Sequence, residues 1–196
     1  MLTVLVANIK GGCGKTTVAT HLAGAFAVAG IPTLLADADR QRSSLGWLGR
    51  RPAAAAPLGG LDWSKEIGDA PRDAGRLVID APAALKTRQI EDLVDLADLV
   101  VLPVLPGAFD EQATQRFLDK LDALKAIAKR RKAVAVVGNR LRANTRAAER
   151  LDTFLSGVGH GVVARIRDAQ LYAEVAATGQ TLFDLRGRRH QEHRTD

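Results

Sequence analysis

Cysteine is nearly absent: Cys13 is the only one in 196 residues, which rules out an internal disulfide and any paired-thiol metal motif. No run approaches the roughly 18 unbroken apolar residues of a membrane span. The apolar stretch beginning at Leu2 follows Met1 directly, with no basic leader or cleavage site, so the expectation is a reducing, cytoplasmic setting. There is no internal repeat and no composition break marking a second domain. With 46% hydrophobic and 26% charged residues, the chain reads as one globular domain over 1–187 with a polar tail over 188–196.

Charge is present in excess but unevenly. Residues 1–100 carry 11 Lys+Arg against 11 Asp+Glu, whereas 101–196 carry 17 against 11, so the net +6 lies in the second half. Such asymmetry suits a polyanionic partner, though an Arg-rich solvated surface would look the same.

Apolar runs at 2–9, 33–39, 77–81, 99–105, 133–139 and 162–166 are continuous rather than alternating, the pattern of strands buried on both faces. Helical spacing lies between several of them: Val18, Leu22, Phe26 and Ala29 before Gly30, and Phe117, Leu121, Leu124 and Ala128 before the basic 129–132. Strand alternating with helix predicts an α/β fold with a mainly parallel central sheet flanked by helices, its ligands at the carboxyl ends of the strands. The stretch 41–75 is the least regular; its Pro and Gly breaks at 50–60 read as a loop, with a switch segment as one use for it.

The first strand runs into IKGGCGKTT, residues 9–17. A G-x-x-x-x-G-K-[ST] phosphate loop would need glycine at Ile9, and that glycine is missing. Gly11, Gly12, Cys13 and Gly14 still place small residues where backbone N–H groups must approach phosphate, and the next helix points its positive end at the same anion. In a P-loop NTPase reading, Lys15 reaches the β- and γ-phosphates, Thr16 puts its hydroxyl on Mg²⁺ and Thr17 closes the turn. Cys13 is read as a tolerated small side chain. A second lysine, Lys10, precedes the usual one.

This xKGGxGK[TS] pattern resembles the deviant Walker A motif of the ParA/MinD family of dimeric ATPases, and ANIKGG is similar to the opening of ParA proteins. The resemblance implies that Lys10 crosses a dimer interface to the partner's nucleotide; a solvent-facing lysine is the alternative. LLADADRQRSS resembles the family's D-x-D-P-Q signature, with Arg40 in place of the proline. It implies a role for Asp37 in supporting Mg²⁺, a strand-end cap being the alternative, and for Asp39 in orienting the attacking water. RLVIDAPAAL looks like the Walker B strand, implying Asp80 as a Mg²⁺ partner. Asn139 resembles the residue that contacts adenine, unless it only shapes a turn.

By this resemblance Lys10, Lys15 and Asp39 form the catalytic set. The late RIRDAQLYAEVAATGQTLFD resembles the end of small plasmid-type ParA proteins. The implied function is a slow, partner-stimulated ATP hydrolase that dimerises with ATP, binds DNA nonspecifically and drives plasmid or chromosome segregation. Its expected location is cytoplasmic and nucleoid-associated. ATP and Mg²⁺ are the implied cofactors, a second copy, DNA and a ParB-like centromere-binding protein the implied partners, with Arg165, Arg167, Arg186, Arg188 and Arg189 as DNA contacts and 129–132 as a second basic cluster. Alternatives are a MinD-like membrane switch, disfavoured because only Leu182, Phe183 and Leu185 precede a polar tail, a cargo-positioning ATPase acting on a protein cluster, and a metabolic P-loop ligase. One cysteine excludes an iron–sulfur relative, and no helix-turn-helix extension suggests operator binding.

Overall fold

A computed structural model describes residues 1–71, 74–129 and 131–185. Seven parallel strands form one sheet. They are β1 (Leu2–Val6), β2 (Thr33–Asp37), β3 (Gly59–Asp62), β4 (Arg76–Asp80), β5 (Leu99–Val104), β6 (Ala133–Leu141) and β7 (Gly161–Arg167), in the order β3-β2-β4-β1-β5-β6-β7. The helices are α1 (Lys15–Val28), α2 (Ser43–Leu48), α3 (Thr87–Leu96), α4 (Ala108–Ala123), α5 (Lys125–Ala128), α6 (Arg146–Gly157) and α7 (Leu171–Ala177).

The continuous apolar runs are explained by two cores, one on each face of the sheet. Val4, Val6, Val78, Val101 and Val137 turn toward α1. The intervening Leu5, Leu77, Ile79, Val100 and Leu102 turn toward Ile90 and Leu93 of α3, Phe117 and Leu121 of α4, and Leu151 and Leu155 of α6. Alternate residues of each central strand are therefore equally dry, and only the strand ends are left for polar side chains.

Three local expectations change. Helix α1 buries Val18, Ala19, Ala23 and Ala27, while Leu22 and Phe26 are half-buried and Ala29 is exposed. Small alanines let the helix lie close to the sheet. The helix expected through Ala128 breaks at Leu124, whose backbone is extended (φ −71°, ψ 130°) and whose side chain packs against the core, leaving α5 as a single turn. The irregular 41–75 contains α2 and the edge strand β3. Gly59 and Gly60 are poor strand formers, yet a Cβ at Gly59 would meet Leu34 and one at Gly60 would meet Leu48 and Leu45. Close packing of α2 and β2 selects glycine here against strand propensity.

That segment is also anchored. Trp47 is buried and its indole N–H donates to the Gln180 carbonyl (3.2 Å). Arg51 donates to Ala56 and Gly179 carbonyls and forms a two-pronged pair with Asp184 at 2.7 and 3.0 Å. Both side chains are nearly sealed from water, at 5% and 4% exposure, and Asp184 also accepts from Thr181 N–H and Oγ1 (2.8 Å each). Leu182, one of the three apolar residues weighed for a membrane contact, is core. Among the described residues no helix is long and apolar enough to cross a membrane.

Because a buried charge stripped of its partner keeps its desolvation cost, Asp184→Ala should lower unfolding free energy by about 3 kcal/mol or more. Urea denaturation measures this; a loss under about 1 kcal/mol would mean that the pair behaves as if solvated.

Candidate nucleotide site

The carboxyl ends of β1, β2, β4 and β6 converge on one rim. Parallel register puts Val6, Asp37 and Asp80 level on three adjacent strands, and the loop after β1 crosses above them. Gly12 (φ +76°) and Gly14 (φ +93°) adopt left-handed backbone, and Gly14 caps α1. A side chain at Gly14 would be strained by that φ and would also collide with the Asn139 amide.

The P-loop is tied to its surroundings by two asparagines. Asn139, buried on β6, donates from Nδ2 to the Cys13 carbonyl at 2.8 Å. Asn8, fully buried, accepts from Lys10 N–H at 3.1 Å and donates to the Pro103 carbonyl (3.0 Å) and to Thr114 Oγ1 (2.9 Å). Asn8 stands in the quoted ANIKGG opening, but its role is visible only once β5 and α4 are in place.

The two lysines are held differently. Lys15 is buried at 8% exposure and donates from Nζ to the Lys10 carbonyl at 3.2 Å. Lys10 is half-exposed, its side chain 39% accessible and its ammonium turned to α4, 3.8 Å from Asp110 Oδ1. Cys13 Sγ donates to the same Lys10 carbonyl at 3.2 Å, and burial pushes its thiol above the usual range, keeping it neutral and unreactive.

The carboxylates also divide. Asp37 accepts from Asp39 N–H (3.0 Å) with Oδ1, and from Ser44 and Leu45 N–H (2.9 and 3.0 Å) with Oδ2. It thus ties the end of β2 to the α2 N-terminus. Asp39, half-buried, accepts from Gln41 N–H at 3.0 Å, which closes a tight turn in place of the family's proline. Arg42 then takes left-handed backbone (φ 52°) and pairs with Asp62 at 2.8 Å. Asp80 is buried at 1% exposure, and neither oxygen completes a well-formed hydrogen bond, although the Thr16 and Ser44 hydroxyls lie close enough to favour its charge. Burial pushes its pKa up to about 7, with the Asp37 carboxylate adding to the rise and the Thr16 and Ser44 hydroxyls and Lys15 opposing it.

An orphaned buried carboxylate beside a threonine hydroxyl is the oxygen donor set of a hard cation. Among the described residues no cluster of three or more His, Cys, Asp or Glu could hold a metal alone. That suits Mg²⁺, which takes one or two protein oxygens and completes its shell with phosphate and water. Thr16, Asp80 and the backbone-bound Asp37 are the residues that fit it.

Beside Thr17 and Asn139 opens a cavity of about 430 Å³, lined also by Arg140, Arg142, Asp168 and Tyr172, with room for a nucleoside. The predicted nucleotide residues therefore share one rim. The predicted DNA contacts divide: Arg165 and Arg167 lie on the edge strand β7, where Arg167 lines this same cavity and Arg165 pairs with Asp152 at 2.6 Å. Arg186, Arg188 and Arg189 lie outside the described residues, as do the tail 188–196 and Arg130 of the second basic cluster. Asp110 carried no sequence signal, because it reaches the loop only through the docking of α4.

The Asp80 shift gives a pH prediction. Its folded pKa lies above the unfolded value, so between about pH 4 and 7 the folded chain holds a proton that the unfolded chain releases, and stability falls as pH rises through that window. Asp80→Asn should raise unfolding free energy of the nucleotide-free protein at pH 8 by on the order of 2 kcal/mol, with little change at pH 4. Chemical denaturation at both pH values measures it; an equal change at both would assign the effect to something other than charge burial.

The description "CobQ/CobB/MinD/ParA nucleotide binding domain" matches residues 4–182. Maintenance of carboxysome distribution protein A from Halothiobacillus neapolitanus is 27% identical over 193 residues, 95% of this chain and 88% of that protein. An ATP complex of Cyanothece McdA superposes with a TM-score of 0.74 at 18% identity, over 93% of this chain and 89% of that one. A Borrelia burgdorferi plasmid partition protein bound to AMPPNP gives 0.76 at 16% identity, over 99% and 96%. At such identities the structural likenesses speak for the fold, while the family match spans nearly the whole chain: this protein belongs to the CobQ/CobB/MinD/ParA nucleotide-binding family.

Proposed function

We propose that the chain is an ATP- and Mg²⁺-dependent ATPase that pairs as a homodimer around bound ATP, associates with nonspecific DNA in that form, and is released by hydrolysis to position a cargo in the cytoplasm. The observation that carries this reading is the split between two lysines on one loop, Lys15 buried on a loop carbonyl and Lys10 half-exposed beside Asp110. Lys15 can leave the Lys10 carbonyl for a phosphate of its own nucleotide without leaving the site. Lys10, half-exposed, suits a nucleotide bound by a second copy, and two such lysines would make each site depend on the other subunit.

Phosphoryl transfer is promoted mainly by positioning and by cations that offset charge on the phosphates. Bound Mg²⁺ would supply part of that neutralisation. Lys15 and the loop N–H groups bind, Asp39 orients water, and Asn139 fixes the loop beside the nucleoside cavity. A ParB-like protein is the proposed stimulator of an otherwise slow turnover.

DNA segregation is the first reading of the task. A second, movement of a protein body, is favoured by the relative named for carboxysome distribution. Both share the nucleotide and DNA steps and differ in cargo.

Co-sedimentation with random-sequence DNA should show binding with ATP and little with ADP or without nucleotide, weakening steeply with added salt. Binding that ignores nucleotide, alongside ATP-dependent binding to anionic vesicles, would replace DNA with a membrane. Lys10→Ala should keep ATP binding but lose dimerisation and reduce turnover by about 10³-fold or more; wild-type turnover in that variant would remove the trans role.

A further inference from the structure

The first two turns of α4 grip Lys10 at both ends. Thr114 holds Asn8, whose carbonyl oxygen holds the Lys10 backbone N–H, and Asp110, one turn earlier, faces the Lys10 ammonium. Asp110 Oδ1 is buried, and no hydrogen bond reaches it, so the lysine at 3.8 Å is its charge partner. Its direction is not imposed by helix capping, since α4 is capped by Gly107 without any side-chain bond. A Cβ at residue 107 would lie 2.6 Å from Asp110 Oδ2, so glycine leaves the space in which the carboxylate rests.

We propose that Asp110 is a positioning residue that latches Lys10 against its own subunit and sets how much negative charge is needed to draw it away. This rests on the reading that Lys10 acts on the partner's nucleotide. Moving Lys10 leaves a half-sealed carboxylate without its counter-charge, a cost that a triphosphate offsets better than a diphosphate because it carries more charge. The latch therefore sharpens the distinction between ATP-bound and ADP-bound states, and it acts twice in a symmetric pair. For a partly exposed ion pair the effect is up to about five-fold per lysine, or about 25-fold for two.

Two measurements on the full chain test it. In the nucleotide-free protein, acetic anhydride labelling of Lys10, followed by mass spectrometry, should be several-fold faster in Asp110→Asn than in wild type, and slowed again in Asp110→Glu, which restores the charge. Equal labelling in wild type and Asp110→Asn overturns the latch. In sedimentation equilibrium, Asp110→Asn should lower the protein concentration for dimerisation with AMPPNP by up to about 25-fold, and should let ADP support some dimer. Placed on Lys10→Ala, which is expected not to dimerise, it should not restore dimerisation with either nucleotide. Faster labelling with unchanged dimerisation, or dimerisation restored by Asp110→Asn on the Lys10→Ala background, overturns the control of assembly by Asp110. A Lys10→Ala protein that dimerises like wild type instead overturns the trans-lysine reading, and the labelling result separates that failure from failure of the latch.

Discussion

The site depends on one inequality between two carboxylates held level by parallel register. Asp37 spends its oxygens on three backbone amides, whereas Asp80, on the next strand, has none. The first therefore builds structure: its bonds to Ser44 and Leu45 fix the entry of α2, which continues to Trp47 and Arg51 and from there to 179–184. The second stores unsatisfied charge. A buried acid without a well-formed hydrogen bond holds its proton up to about pH 7, and what relieves it is a cation. Nucleotide-free stability is thus given up at the position whose carboxylate would suit a metal ion.

The cations of the loop are also kept on protein groups, Lys15 on a carbonyl and Lys10 beside a carboxylate. Free ammonium groups converging on an unfilled anion site would repel each other. Parking them separately lowers that repulsion and leaves both within the loop's own reach. The Lys10 carbonyl accepts from Lys15 and Cys13 together, so the peptide that carries the outer lysine also stores the inner one. Any movement of Lys15 off that carbonyl and the freedom of Lys10 are therefore coupled through a single residue.

Much of this was legible in the sequence because it is local. All six apolar runs became strands, since burial on both faces demands unbroken hydrophobicity, and the loop glycines declared themselves because left-handed turns and close approach admit little else. What escaped was decided by packing. Gly59 and Gly60 form β3 because their neighbours leave no space for a side chain, a reason that no strand propensity contains. Leu124 leaves the helix to reach the core, although nothing in its neighbourhood is a helix breaker. Arg40 departs from the family signature, and here the turn is held by the Asp39 carboxylate accepting from Gln41 N–H. Asn8 and Asp110 stand 102 positions apart and meet at one lysine because α4 docks on β5, the neighbour of β1 in the sheet.

The basic excess of the second half finds less support than the nucleotide site. Arg165 and Arg142 already face Asp152 and Asp168, and Arg150 faces Glu111, so these arginines present much less positive field than their number suggests. A phosphate backbone would have to displace those carboxylates, and exposed pairs yield easily because each is worth little in water. Two copies would double such contacts on one strand of nucleic acid, and the salt-dependent affinity scales with the number of phosphates neutralised. Weak individual contacts that gain strength only by pairing are what the proposed nucleotide-controlled dimer would require: a monomer would let go of DNA for the same electrostatic reason that a dimer would hold it.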